Sequence, residues 1–90
     1  MRFMLMAKDA KGALQTRLDN REAHLAYIKE TGVVEMAGAL LDEQGDMCGS
    51  LIVLDLPDLA AAQDWAASDP YNKAGLFSSV EIAAWNKVIG

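Results

Sequence analysis

The sequence predicts a small α+β domain whose elements follow one another in the order β-α-β-β-α-β. Three observations predict it: a helical repeat of apolar side chains over residues 14–31, two β-like runs joined by a short polar turn, and an Ala-rich stretch before an Asp-Pro pair. A chain of 90 residues is too short to build a second core of its own. We therefore expect residues 1–90 to form one domain.

The first strand is predicted over residues 1–7, which are mostly apolar and precede a polar stretch that contains a glycine. A helix is predicted from Leu14 to Thr31, because apolar side chains recur there at spacings that share one helical face, and Gly32 follows as a natural stop. The side chains that define this face are Leu14, Leu18, Leu25 and Ile28. The pattern predicts that this face is buried.

A β-hairpin is predicted next, with strands over Val33–Leu41 and Cys48–Leu56 and a turn at residues 42–46. Gly38 lies inside the first of these strands, where a glycine indicates a bulge or a close approach of another backbone.

The last helix and strand complete the order. Asp58 is predicted to cap a helix that runs through Ser68, and Asp69 ends it because the residue before a proline avoids helical geometry. A final strand is predicted within residues 76–89, strongest over Val80–Trp85. This order is the ferredoxin-like arrangement, in which both helices pack on one face of an antiparallel sheet.

The pattern of apolar residues on the other face of that sheet predicts a homodimer. Residues 3–7 and 51–54 are apolar at consecutive positions, so side chains on both faces need burial. The hydrophobic fraction is 52%, which is high for so short a chain. We expect two sheets to pack face to face across a homodimer, and the sequence leaves open whether dimers assemble further.

Composition argues against several classes of function. The net charge is −5 and the basic residues are scattered, which argues against nucleic-acid binding. The single cysteine, Cys48, allows no internal disulfide, and no stretch approaches the roughly 20 apolar residues of a membrane span. We expect a cytoplasmic protein. One histidine and one cysteine do not suit a structural zinc site, and no glycine-rich phosphate loop is present, so no cofactor is expected.

The best candidate for chemistry is His24. On a helical wheel with Arg17 at the origin, Arg21 lies at roughly +40°, His24 at about −20° and the three leucines at roughly +60° to +100°. Arg21 and His24 thus border the predicted apolar stripe and need partners there. Asp69 is the predicted partner of His24, because a carboxylate bonded to one ring nitrogen fixes the tautomer and makes the other nitrogen a better base.

Simpler interpretations of these residues stay open. His24 could be a satisfied structural residue, and Asp69 could only end a helix before Pro70. Arg17 and Arg21 could form a solvated face or bind nearby acids. Trp65 and Trp85 are interpreted as core or interface anchors before ligand platforms.

Several segments carry a resemblance to a known family. They are Arg-Glu-Ala-His-Leu at 21–25, Ala37-Gly38, Gly49-Ser50, Ala-Ala-Gln-Asp-Trp-Ala at 61–66 and Ser-Asp-Pro-Tyr at 68–71. With these the chain resembles the YciI-like family over nearly its whole length. The resemblance implies a ferredoxin-like dimer whose sheets form an α+β barrel, similar to muconolactone isomerase, and a His24–Asp69 dyad. The hairpin turn at 42–47 is shorter than in many relatives, so the substrate class could differ.

Two functions from different classes follow. The first is a cofactor-free lyase- or isomerase-like enzyme that abstracts a proton from a small organic molecule, with His24 as base and Asp69 as its orienting partner. Arg21 would anchor a substrate carboxylate, Gly38 would leave room beside the backbone and Ser50 would donate a hydrogen bond. Tyr71, in the Asp-Pro-Tyr segment, completes the predicted substrate-binding set.

The alternative is a non-catalytic dimeric module that binds a small molecule or regulates, since no second acid or base and no clear nucleophile is evident. A small oxygenase with His24 as a haem ligand is a third, weaker alternative, because nothing else in the sequence points to haem.

Overall fold

The computed structural model describes all 90 residues. The elements are β1 (Arg2–Asp9), α1 (Leu14–Thr31), β2 (Val34–Leu41), β3 (Met47–Asp55), α2 (Leu59–Ser68), α3 (Pro70–Lys73) and β4 (Phe77–Ala84). The four strands form one antiparallel sheet in the order β2-β3-β1-β4. The predicted α+β, ferredoxin-like class is confirmed.

The bounds of α1 are those predicted, and other bounds differ by a few residues. Strand β1 continues past the predicted end to Asp9, and β4 ends at Ala84. Trp85 therefore lies beyond the strand, where it is 40% exposed, so it is not a core residue. Its place in an interface, the other alternative, stays a prediction. None of the helices combines the length and apolarity needed to cross a membrane.

The short helix α3 was not predicted. Its first residue is Pro70, which suits the first helical position because no amide N–H is needed there. The Asp69 side chain caps it by accepting a hydrogen bond of 3.0 Å from the Tyr71 amide. The Asp-Pro pair was interpreted only as a stop for α2, but it also begins a new helical turn.

The core lies between the sheet and the helices. Phe3, Leu5 and Ala7 of β1 are buried on this face, and they alternate with partly exposed residues as a strand with one covered face does. The α2 residues Ala62 and Trp65 pack against the same cluster, so Trp65 is confirmed as a core residue. Its indole nitrogen donates to Thr31 Oγ1 at 3.0 Å, which ties α2 to α1.

The prediction of which α1 face is buried was wrong. Leu14, Leu18 and Leu25 are 39%, 47% and 49% exposed, whereas the buried residues of α1 are Arg17 and His24. The physical reason is that both polar side chains find carboxylate partners on other elements, which removes the cost of burying them. The periodicity of apolar residues contains no information about those partners.

Gly38 does not form the expected bulge. It pairs regularly with Leu51, and the register shifts lie on either side of it, between Val34 and Met36 and between Leu40 and Leu41. A Cβ at Gly38 would meet no atom within 4 Å. The glycine that another backbone approaches closely is Gly49, where a Cβ would collide with the Ala7 carbonyl oxygen.

The face of the sheet opposite the core carries apolar side chains. The pairing places Met4 and Met6 of β1 beside Val53 and Leu51 of β3, with Met36 next to Val53. Met36 is 54% exposed and Leu51 is 37% exposed, Met4 and Met6 are partly exposed, and Val53 is 4% exposed. We call the surface formed by Met4, Met6, Met36, Leu51 and Val53 the outer sheet face.

Candidate functional site

A cavity of about 170 Å³ lies between α1 and strands β2 and β3. Its apolar wall is formed by Leu25 and Ile28 of α1 and by small residues of β2 with Met47 and Ile52 of β3. A cavity of about 150 Å³ is known to hold one benzene ring. The size of the cavity therefore suits a ligand of about one ring.

His24 and Asp69 meet at this cavity although 45 residues separate them in the chain. His24 Nδ1 lies 2.7 Å from Asp69 Oδ1, and both side chains are buried. Because a carboxylate can only accept, Nδ1 carries the hydrogen and Nε2 of the neutral ring is left as an acceptor. His24 lines the cavity and Asp69 does not, so the carboxylate supports the ring from behind.

Asp69 is held in place by a second bond. Oδ1 also accepts from the Tyr71 amide, whereas the other carboxylate oxygen is buried without a partner in the chain. The residue is 1% exposed. A carboxylate so enclosed has little freedom to turn, and the ring bonded to it is oriented accordingly.

Tyr71 lines the cavity, as predicted for a substrate-binding residue, but it is also part of the packing. Its ring stacks on that of His24 with centroids 3.9 Å apart and planes 15° from parallel, and the Arg17 guanidinium lies 4.8 Å from the same ring. Burial raises the pKa of the Tyr71 hydroxyl, against the charges of Arg17 and Arg21, which lower it. The phenol is therefore neutral at physiological pH.

Arg17 is the site residue that sequence reasoning missed. Its Nε and Nη2 donate to the two oxygens of Asp9 at 2.8 Å each, and Nη2 also donates to Ser50 Oγ at 2.9 Å. Burial lowers the pKa of Arg17, but the bonds and charge of Asp9 outweigh it and the pKa is raised. The prediction of a solvated face was wrong for Arg17, whereas binding of a nearby acid was the correct alternative.

The other predicted site residues are also at the cavity. Arg21 and Ser50 line it, Arg21 as an exposed side chain and Ser50 as a buried one. Gly38 contributes to the wall from β2. All four predicted substrate-binding residues therefore border the same space as His24. No three His, Cys, Asp or Glu side chains are grouped as metal ligands.

The family follows from a match over most of the chain. Residues 1–86 match the family model described as YCII-related domain. The chain belongs to this family. Protein YciI of Escherichia coli O6:H1 is 32% identical over 97 residues, an alignment that covers 98% of this chain and 99% of that protein. The sequence-based resemblance is confirmed.

Among solved structures, one similar to this chain holds a ligand. It is the 5-chloro-2-hydroxyhydroquinone dehydrochlorinase TftG from Burkholderia phenoliruptrix AC1100, in complex with 2,5-dihydroxybenzoquinone. It is 32% identical to this chain with a TM-score of 0.87, and the match covers 96% of this chain and 94% of that one.

A second solved structure shares the fold alone. An antibiotic biosynthesis monooxygenase matches with a TM-score of 0.60, covering 98% of each chain, at 11% identity. This likeness shows the fold of the chain alone.

Proposed function

We propose that this protein is a cofactor-free lyase or isomerase in which His24 abstracts a proton from a small cyclic molecule that carries oxygen substituents. The observation that carries the proposal is the 2.7 Å contact between His24 Nδ1 and Asp69 Oδ1 beside a cavity that His24 lines. Asp69 keeps the hydrogen on Nδ1, so Nε2 is the base.

The step begins at an acidic proton of the substrate, either on a carbon next to a carbonyl group or on an enol hydroxyl in the keto form of a polyhydroxylated ring. Nε2 removes this proton and an enolate forms. When the enolate re-forms its carbonyl group, the electron pair of its C=C bond either expels a leaving group from the neighbouring carbon or takes up a proton at a new carbon. The first course is elimination, after which His24 releases its proton to water. The second is double-bond migration, in which the protonated His24 returns the proton.

The dehydrochlorinase neighbour supports this reaction class. Its name describes the removal of HCl from a chlorinated hydroxyhydroquinone, which requires a base for the proton and a path for chloride. The 32% identity over nearly the whole chain supports a related elimination here.

The working form is proposed to be a homodimer that pairs through the outer sheet face. Exposed Met36 and half-exposed Leu51 lie there together, and burying apolar area of this kind is the main driving force of association. Packing two such sheets face to face would produce the α+β barrel that the family resemblance implies.

The proposal is tested with 5-chloro-2-hydroxyhydroquinone as substrate and chloride release as the readout. We expect His24→Ala to lower turnover by about 10²–10⁴-fold, because a general base contributes about that much. Asp69→Asn should lower turnover as well, since an amide can leave the ring in the wrong tautomer. Asp64→Asn, the same change at an exposed residue of α2, is the matched control and should behave like wild type.

Full activity in His24→Ala would contradict the mechanism. If wild type bound 2,5-dihydroxybenzoquinone but released no chloride from the chlorinated substrate, the second function, a non-catalytic ligand-binding dimer, would be favoured.

A further inference from the structure

The geometry points to Arg17, rather than Arg21, as the anchor for an oxyanion carried on a single-ring substrate. The inference deepens the proposed function, because it concerns the same cavity and rests on that cavity being the site. It assigns a role to the Arg17–Asp9–Ser50 cluster and specifies the charge of the ligand.

The donors of Arg17 are only partly used within the protein. Nε and Nη2 supply the two bonds to Asp9 and the one to Ser50. Nη1 donates no hydrogen bond within the chain. It is not one of the fully buried atoms that lack a partner. Nη1 therefore has some accessible surface, and Arg17 lines the cavity, where its guanidinium also interacts with the Tyr71 side chain. A charged donor at a cavity wall favours an oxygen with negative charge.

Ser50 adds a donor at the same place. Its Oγ accepts from Arg17 Nη2, so the hydroxyl hydrogen is free to point toward a ligand. Ser50 is 3% exposed and lines the cavity. The guanidinium and the hydroxyl thus present adjacent donors, an arrangement that stabilises the oxygen of an enolate.

Arg17 is fixed before any ligand arrives, and Arg21 is not. The paired bonds to Asp9 hold the guanidinium in one orientation, and its side chain is 4% exposed. Arg21 is an exposed side chain, so ordering it on a ligand costs conformational entropy. Preorganised donors contribute more to binding and to transition-state stabilisation than donors that must be ordered.

The charge of the cavity wall also favours an anion. Two arginines, a histidine, a serine and a tyrosine supply its polar groups, and no Asp or Glu lines it, in a chain of net charge −5. Asp9 and Asp69 bond to Arg17 and His24 from behind this wall, so a ligand in the cavity meets hydrogen-bond donors and no carboxylate oxygen. Tyr71 contacts both the His24 ring and the Arg17 guanidinium, so the base and the anchor can reach one ring-sized ligand.

The test compares two compounds that share the benzoquinone ring and the positions of its oxygen substituents but differ in whether they can ionise. In 2,5-dihydroxybenzoquinone the hydroxyls ionise below neutral pH, whereas 2,5-dimethoxybenzoquinone cannot ionise. Binding of each to the full chain is measured by calorimetric titration. We expect the ionised compound to bind wild type more tightly. We expect Arg17→Gln to weaken its binding about tenfold or more, because a hydrogen bond to a charged group is worth at least that much. Binding of the dimethoxy compound should change little.

The variants are chosen so that folding and charge do not confuse the result. Arg17→Gln leaves Asp9 buried without its partner, so the double variant Arg17→Gln/Asp9→Asn, which keeps the net charge of wild type, is measured beside it. Lys29→Gln removes a positive charge from an exposed position of the same helix and should bind like wild type. Arg21→Gln should lose less affinity than the Arg17 variants.

Failure of this inference can be told apart from failure of the proposed function. His24→Ala should keep its affinity for the ionised compound while losing turnover. The inference is overturned if wild type binds the two compounds equally or binds neither, or if the folded double variant binds the ionised compound as wild type does. Those binding results would not bear on the role of His24 as the base, because that role is tested separately by chloride release from His24→Ala.

Discussion

At the scale of single residues, Tyr71 holds the site together. Its amide donates to Asp69, its ring stacks on His24 at 3.9 Å, and the Arg17 guanidinium lies 4.8 Å from that ring. The edge of Phe77 meets it as well, with centroids 6.1 Å apart. One side chain therefore fixes the relative positions of the base and of the cationic group.

The buried tyrosines predict how stability depends on alkaline pH. Burial raises the pKa of Tyr71 and of Tyr27 above the ordinary value of 10.0. The unfolded chain then releases these protons at lower pH than the folded chain does. The contribution to stability is fully present below about pH 10 and is lost as pH rises through the folded-state values.

Urea unfolding measured between about pH 8 and pH 11 checks this. We expect the free energy of unfolding to fall above about pH 10, and the fall to be shallower in Tyr71→Phe. An identical pH profile in Tyr71→Phe/Tyr27→Phe and in wild type would show that the two phenols are not responsible.

At the scale of elements, the sheet depends on one glycine and tolerates change at another. A Cβ at Gly49 of β3 would collide with the Ala7 carbonyl oxygen of β1, whereas one at Gly38 of β2 would meet nothing within 4 Å. Backbone atoms cannot move aside as the end of a flexible side chain can. β1 and β3 can therefore lie this close together only because Gly49 has no side chain.

The pair gives a matched test of the same substitution. We expect Gly49→Ala to destabilise the fold by about 1–3 kcal/mol or more, the usual cost of overpacking. Gly38→Ala should lie within about 1 kcal/mol of wild type. Thermal and urea unfolding of both variants measure the difference, and equal stabilities would contradict the close approach at Gly49.

Helix α1 shows how much the sequence could predict. Its bounds follow from periodicity and from Gly32 at its end, and both were predicted correctly. Its orientation could not be predicted in the same way, because burial of Arg17 and His24 depends on carboxylates supplied by β1 and by the start of α3. Hydrophobic periodicity assigns polar residues to water unless a partner is known.

Part of the candidate site could be predicted from the sequence, and part of it could not. The family-like segments pointed to His24, Asp69 and Tyr71, which the structure brings together. The Arg17–Asp9 pair was missed because the two residues are eight apart in the sequence, on either side of the turn between β1 and α1. No spacing rule links the end of a strand to the helix that follows it. The burial of the Arg17 guanidinium is visible only once the fold is known.

At the scale of the whole molecule, two apolar surfaces are candidates for the interface of the proposed homodimer. One is the outer sheet face. The other is the row of half-exposed leucines on α1, Leu14, Leu18 and Leu25. The outer sheet face extends across three neighbouring strands, so a second copy can bury it over a larger area than a single helix row offers.

Oligomeric state tests this choice. We expect wild type to elute as a dimer, Leu51→Lys to dissociate into monomers at micromolar concentration, and Leu18→Lys to remain dimeric. Size-exclusion chromatography with light scattering measures all three masses. A dimer lost in Leu18→Lys but kept in Leu51→Lys would place the interface on α1, and a monomeric wild type would remove the interface altogether.

The double use of the Asp69 carboxylate has a consequence for how this protein can change over time. One oxygen both begins the helical turn at 70–73 and orients the imidazole. A descendant that abandons proton transfer would still need an acceptor there to keep the turn, so asparagine or serine is the replacement to expect. Relatives that retain the aspartate but lack the histidine would be proteins that kept the helical turn at 70–73 after losing proton transfer.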